Sequence, residues 1–282
     1  MIEALWLLAG GAAAGVFGSL LGLGGGVLIV PLLTLGFGLD LRAAVGVSLV
    51  SVIVTSSAAA GVYLERNIAN LRLGMTLELF TAGGALVGGL IAFLIDERLL
   101  AVLFAILLGY VSLTMLRQKT PSPDEGPTPA EPFSVPDDEP AGDFEALRLA
   151  ALDRLAGDDY PIRNLGRGIG GSAGAGVVSA LLGIGGGIIK VPLMHVGMGV
   201  PLRVATATSN LMIGVTAAAS AVIYLLRGEI DPYVAGPVAI GVFLGASVGS
   251  RVAHRVDLRI LRWLFVAVLT YTAVLMLLRA LG

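Results

Sequence analysis

The chain has no cysteine and only two histidines among its 282 residues. Disulfides and thiol chemistry are therefore excluded, and a metal centre built from several histidine or thiolate ligands has too few donors. Charge is scarce as well: Asp, Glu, Lys and Arg make up 13% of the sequence, with 18 basic and 20 acidic residues. So even a balance offers no basic surface for nucleic acid. No paired carboxylates, histidine cluster or Ser-His arrangement falls within the apolar stretches, which argues against an intramembrane enzyme. No cofactor is expected, and any coupled ion is expected to be a proton or sodium.

What is abundant is apolar. Hydrophobic residues make up 56% of the chain and the mean hydropathy is +0.91, well beyond a soluble domain. This composition predicts an all-α, multi-pass integral membrane protein whose surroundings are the lipid bilayer. The start, Met1-Ile2-Glu3, has no positive flank, so the first apolar segment is expected to stay in the mature protein.

The sequence also says the same thing twice. Leu20-Leu21-Gly22-Leu23-Gly24-Gly25-Gly26, followed by Pro31-Leu32, returns as Leu181-Leu182-Gly183-Ile184-Gly185-Gly186-Gly187, followed by Pro192-Leu193. The register that sets Pro31 against Pro192 holds without a gap through Arg42 and Arg203, Ser48 and Ser209, Thr55 and Thr216, Gly84 and Gly245, and Asp96 and Asp257. A duplicated hydrophobic unit interrupted by glycine at equivalent places points to a transporter with its site between the repeats.

Eight apolar stretches can be read, at 4–37, 43–64, 73–95, 98–117, 166–199, 203–226, 233–254 and 258–281. The first and fifth, at roughly 34 residues, would reach roughly 50 Å as straight helices, too long for one crossing. Each must be broken at its glycine cluster, either dipping back or crossing twice. The domains expected are a first transmembrane repeat (1–117), an acidic, Pro-rich linker (118–165) and a second repeat (166–282).

Charge arbitrates the topology. If the long stretches cross once, the basic residues divide ten to seven, leaving Lys190 aside. If they give each repeat odd parity, thirteen gather on one side, among them Arg66, Arg72, Arg203 and Arg251, and only Arg42, Arg98, Arg227 and Arg279 lie on the other. The second division is what the positive-inside rule expects. The fold class expected is thus two homologous four-segment helical repeats, inverted, each opening with a glycine-broken or re-entrant helix. The linker is expected in the cytoplasm and both termini outside. Within the linker, residues 143–155 place Phe144, Leu147, Ala151 and Leu155 on one face, as an amphipathic surface helix would.

The glycine runs are poor helix interiors, each Gly costing about 1 kcal/mol against Ala. A helix restarting near Val27 or Ile188 would point free N–H groups at the break, an anion-binding arrangement, with Pro31 and Pro192 close to the restart. Gly24, Gly25, Gly26, Gly185, Gly186 and Gly187 are therefore candidate anion cradles, against the alternative that they only let helices pack closely. That packing explanation is preferred for Gly84, Gly88, Gly241, Gly245 and Gly249. No Gly-Lys-Ser/Thr ending follows either run, which argues against nucleotide hydrolysis.

Ser48, Thr55, Ser209 and Thr216 are symmetry-related hydroxyls that suit a common pathway, with Asn210 adding polarity in the second half; bonds back to their own helix are the competing account. Lys190 is the one basic residue well inside an apolar stretch, a candidate countercharge to an anion unless it snorkels to an interface. His195 and Glu78 are candidates for carrying a proton, His195 against a structural role and Glu78 against solvation at a span end.

The paired Leu-Leu-Gly-(Leu/Ile)-Gly-Gly-Gly stretches with their following Pro-Leu, each succeeded by an Arg-bearing helix start and a Ser/Thr-bearing helix, resemble the sulfite exporter TauE/SafE family of membrane permeases. The likeness covers both repeats and fails only in the linker. It implies secondary transport of small sulfur-containing anions, such as sulfite, thiosulfate, sulfoacetate or other organosulfonates, linked to the proton gradient. The alternatives are an anion channel and a transporter of a different small anion. The resemblance supplies no list of binding residues, so the site residues named above rest on their physical chemistry.

Overall fold

The long first and fifth apolar stretches do not form single helices. In a computed structural model describing residues 2–21, 26–65, 69–117, 162–252 and 258–281, each is a long helix followed by a short one. In the first half these are α1 (Ile2–Leu21) and α2 (Gly26–Pro31), followed by α3 (Leu41–Glu65), α4 (Leu71–Ala92) and α5 (Glu97–Arg117). The second half has α6 (Leu165–Leu182), α7 (Gly187–Pro192), α8 (Leu202–Leu226), α9 (Pro232–Val252) and α10 (Leu258–Leu281). The starts of α2 to α5, at Gly26, Leu41, Leu71 and Glu97, fall in the register of the duplication on those of α7 to α10, at Gly187, Leu202, Pro232 and Leu258. The described residues are all-helical, without strands, and six of the helices are long and apolar enough to cross a bilayer.

The break in the second half has a clear local cause. Gly183, Gly185 and Gly186 all have positive φ, at 69°, 79° and 74°, where a Cβ would be strained. The prolines act differently from expectation. Pro31 and Pro192 end the short helices rather than begin them, and each leads into a wider, π-type turn, Leu32–Gly36 or Leu193–Gly197. Proline removes one N–H and crowds the carbonyl four residues back, here that of Val27 or Ile188 in the first turn of the short helix.

Two kinds of contact hold the bundle together. α1 packs on α9 and α4 packs on α6 through glycine. A Cβ on Gly84 would collide with the carbonyl oxygen of Ala173, and one on Gly245 with that of Ala12. These backbone-to-backbone contacts agree with the packing account of Gly84, Gly88, Gly241, Gly245 and Gly249. The second kind joins equivalent helices, α3 with α8 and α5 with α10. α3 and α8 run antiparallel: Gly46 near the start of α3 meets Tyr224 near the end of α8, and Ser56 further along α3 donates to Asn210 O nearer the start of α8. α5 and α10 do likewise, Arg98 and Arg279 sharing one cavity while Ser112 and Thr270 share a hydrogen bond further along.

Large apolar side chains such as Leu79, Ile106, Val222 and Leu278 face outward. A surface of this kind is suited to hydrocarbon rather than water. At one end of the bundle, the Arg42 and Arg227 guanidiniums lie 5.6 and 5.1 Å from the centre of the Phe93 ring. Arg42 also donates to Ala92 O and Ile95 O. The last residues of the expected linker are part of this structure: Ile162 is buried against Leu73, Met194 and Met198, and Arg163 N–H donates to Met198 O. The rest of the linker, with its expected helix at 143–155, lies outside the described residues, as do Gly24 and Gly25.

Candidate functional site

The expectation for Glu78 was a carboxylate near a span end. α4 places it two turns into the helix, which packs against α6 and α8, leaving Glu78 7% exposed. Lys190, on α7 just after the glycine turn, is 1% exposed. The two side chains meet, Lys190 Nζ donating to Glu78 Oε2 at 3.1 Å. Lys190 does not snorkel. Thr216 of α8 closes the group, accepting from Lys190 Nζ at 2.6 Å and donating to Glu78 Oε1 at 2.6 Å. Glu78 and Thr216 stand within about 5 Å of the mid-points of their helices.

An ammonium has three N–H donors, and two of those on Lys190 are used. The Oγ atoms of Ser172, Ser179 and Ser209 are buried and unbonded among the described residues. Ser172 and Ser179 lie two turns apart on the face of α6 that also carries Ala175 and Gly176, whose backbones approach Gly186 and α4. Ser179 and Lys190 flank Gly186: a Cβ there would lie 3.4 Å from Ser179 Cβ and 3.5 Å from Lys190 Cε. Ser209 Oγ would lie 3.6 Å from a Cβ on Gly187. Native interiors rarely leave hydroxyls unsatisfied, so Ser179, beside Lys190 at the glycine turn, and Ser209, beside Gly187, offer free donors to an acceptor there.

The other candidates divide. Gly185 touches Val52 and Ile213, and Gly26 approaches Gly183 O, so the two glycine segments meet between α3 and α8. Here it is carbonyls that are held: Ser48 donates to Gly183 O at 2.7 Å, with Gly26 O a second acceptor at 3.3 Å. Thr55 bonds back to Ser51 O and Val52 O on its own helix. Asn210 accepts from Ser56 through its backbone. His195 lies apart in the π-type turn, exposed, with Nδ1 2.9 Å from Val200 O.

The polar group is also not shared between the halves. In the register of the duplication, Lys190 corresponds to Ile29, Glu78 to Ala239, Ser172 to Gly11 and Ser179 to Gly18. Sequence reasoning weighed each residue by itself and missed the pairing of Glu78 with Lys190, as well as Ser172 and Ser179. The pairing had a signal: Glu78 is the one acid within any of the eight apolar stretches, Lys190 the one base well inside one, and a buried charge requires a partner.

The sequence profile of the Sulfite exporter TauE/SafE family matches residues 7–276. The chain is 25% identical to the probable membrane transporter protein YunE of Bacillus subtilis over 256 residues, covering 88% of this chain and 87% of that protein. It is 26% identical to the probable membrane transporter protein YdhB of the same organism, covering 84% and 85%. A third relative, the probable membrane transporter protein MamO of Paramagnetospirillum magneticum, is 27% identical over 94% of this chain, which spans 43% of MamO. No solved structure matches.

Proposed function

The chain belongs to the Sulfite exporter TauE/SafE family, whose curated relatives here are probable membrane transporters, and on that premise we propose that it is a secondary active transporter of small sulfur-containing anions. Sulfite, thiosulfate, sulfoacetate and other organosulfonates are the substrate class, and the proton gradient drives them. The observation that carries this reading is the buried group of Lys190, Glu78 and Thr216, with the unbonded hydroxyl of Ser179 beside Lys190. It offers positive charge and hydrogen-bond donors to a pyramidal or tetrahedral oxyanion.

Inverted repeats complete the proposal, with transport by alternating access around a site between them. Three relations support inversion: the equivalent helices α3 and α8 are antiparallel, so are α5 and α10, and Arg42 and Arg227 reach the same Phe93 ring. Had the repeats been parallel, those two arginines would lie on opposite sides of the membrane. The positive-inside rule then puts Arg42, Arg98, Arg227 and Arg279 outside with the termini, and residues 118–165 in the cytoplasm.

Uptake of labelled sulfite, thiosulfate and a small organosulfonate into proteoliposomes, with and without an imposed pH gradient, tests this. Saturable uptake that accumulates only with the gradient is expected. Flux without saturation would favour a channel, and no flux of any of the three through folded protein would overturn the substrate class.

A further inference from the structure

Resting on the transporter reading above, we propose that Glu78 is the resident occupant of the anion site: it neutralises Lys190 while the site is empty, and is displaced and protonated when a small anion binds, so that one proton travels with each anion. The geometry is that of a ligand already in place. Glu78 presents its two oxygens to Lys190 and Thr216, one donor each, as a bound oxyanion would. The remaining donors nearby, the third N–H of Lys190, the hydroxyl of Ser179 beside it and that of Ser209 beside Gly187, are unused by the carboxylate and would donate to the further oxygens of a sulfonate or thiosulfate.

Charge sets the stoichiometry. Lys190 and Glu78 sum to zero, and an anion entering beside them would bring two negative groups to one ammonium in a buried place. Like charges so close do not both remain ionised, and the group free to take a proton is the carboxylate. Among the described residues, the other ionisable side chains on α4 and the elements packed on it stand away from Glu78: Arg72 is in the first turn of α4 and His195 in the exposed turn after α7. α7 carries only Lys190, Arg167 of α6 and Arg203 of α8 are in their first turns, and Tyr224 is at the far end of α8, bonded to Ala180 O. Thr216 permits the change. Its hydroxyl has a second acceptor, Met212 O at 3.1 Å, so it can turn there and accept from the protonated acid.

The pseudo-equivalent position carries Ile29, Ala239, Gly11 and Gly18, which can neither attract an anion nor hold a proton. There is accordingly one such site per chain rather than two.

The test uses the purified full chain in weakly buffered detergent with a pH-sensitive dye. Thiosulfate, methanesulfonate and nitrate serve as probes because none takes up protons itself near neutral pH, and binding is read separately by thermal stabilisation. Uptake of one proton per bound anion in the wild type, and none in Glu78→Gln, is expected. The double variant Glu78→Ala with Lys190→Ile, which copies the apolar residues of the other half, should fold and lose binding. Thiosulfate binding without proton uptake, equal proton uptake in Glu78→Gln, or wild-type binding in the double variant would each overturn the exchange while leaving the transporter reading in place. Proton-linked binding of nitrate alone would overturn the sulfur-anion substrate class and uphold the exchange. Absence of binding by all three probes would overturn both.

Discussion

Ser48 and Ser209 occupy equivalent positions in the two halves, yet Ser48 ties the two glycine segments together and Ser209 Oγ is bonded to nothing among the described residues. One residue type serves structure in one half and is left free in the other.

The pair therefore separates stability from binding. Ser48→Ala leaves buried carbonyls without their donor and should cost about 1–3 kcal/mol. Ser209→Ala removes no bond and should stay within about 0.5 kcal/mol of the wild type. Transport should respond in the opposite way, with a raised KM in Ser209→Ala. Thermal unfolding in detergent and uptake kinetics check both; a stability loss in Ser209→Ala matching that in Ser48→Ala would contradict the assignment.

Removing one member of the buried ion pair should be worse than removing both. Lys190→Ala leaves a lone buried carboxylate and should destabilise by about 3–5 kcal/mol, besides reducing transport. Replacing Lys190 by Ile and Glu78 by Ala together should recover most of that stability without recovering transport. Unfolding midpoints of the two variants, compared at one pH, decide the matter.

Glycine should be replaceable according to its backbone. Gly185→Ala meets a φ of 79° and the side chains of Ile213 and Val52, so a loss of more than about 1–2 kcal/mol is expected. Gly174, on the exposed face of α6 with nothing near a Cβ, should gain up to about 1 kcal/mol as Ala. Leu at Gly186 should also abolish transport, since Ser179 and Lys190 occupy the space beside it.

The natural absence of cysteine makes topology directly measurable. Asp40→Cys and Asp231→Cys precede α3 and follow α8, and should be labelled by an impermeant thiol reagent from the same side. Arg163→Cys, at the entry to α6, should be labelled only from the other side. Labelling of positions 40 and 231 from opposite sides would refute inversion.

Much of this fold was legible because bilayer length and glycine chemistry are local. The restart positions near Val27 and Ile188, the uninterrupted α3 to α5 and α8 to α10, and the packing glycines all follow from composition within a few turns. The site was legible only in parts. Lys190 stood out as a charge in an apolar run, but Glu78 is far from it in the chain, on a helix whose approach to α7 depends on how α4, α6 and α8 pack. The symmetry of the sequence also misled. It suggested a cavity lined equally by Ser48, Thr55, Ser209 and Thr216, whereas the first-half pair bonds to backbone, Thr216 bonds the charges and Ser209 stands unbonded by Gly187. Equivalent hydroxyls acquire different duties when the residues facing them differ.

That inequality also affects direction. Two halves that could simply exchange roles would give inward-open and outward-open forms of equal energy, and opposite gradients of equal size would be dissipated at equal rates. An ion pair on one side of the pseudo-symmetry and Ile29 with Ala239 on the other remove that degeneracy. In the alternating-access cycle proposed above, the empty protein would then rest with one face open more often than the other, and its half-saturating concentration would differ between the two sides of the membrane. The gradients still decide which way net flux runs, and the lopsided pair decides how readily it runs each way.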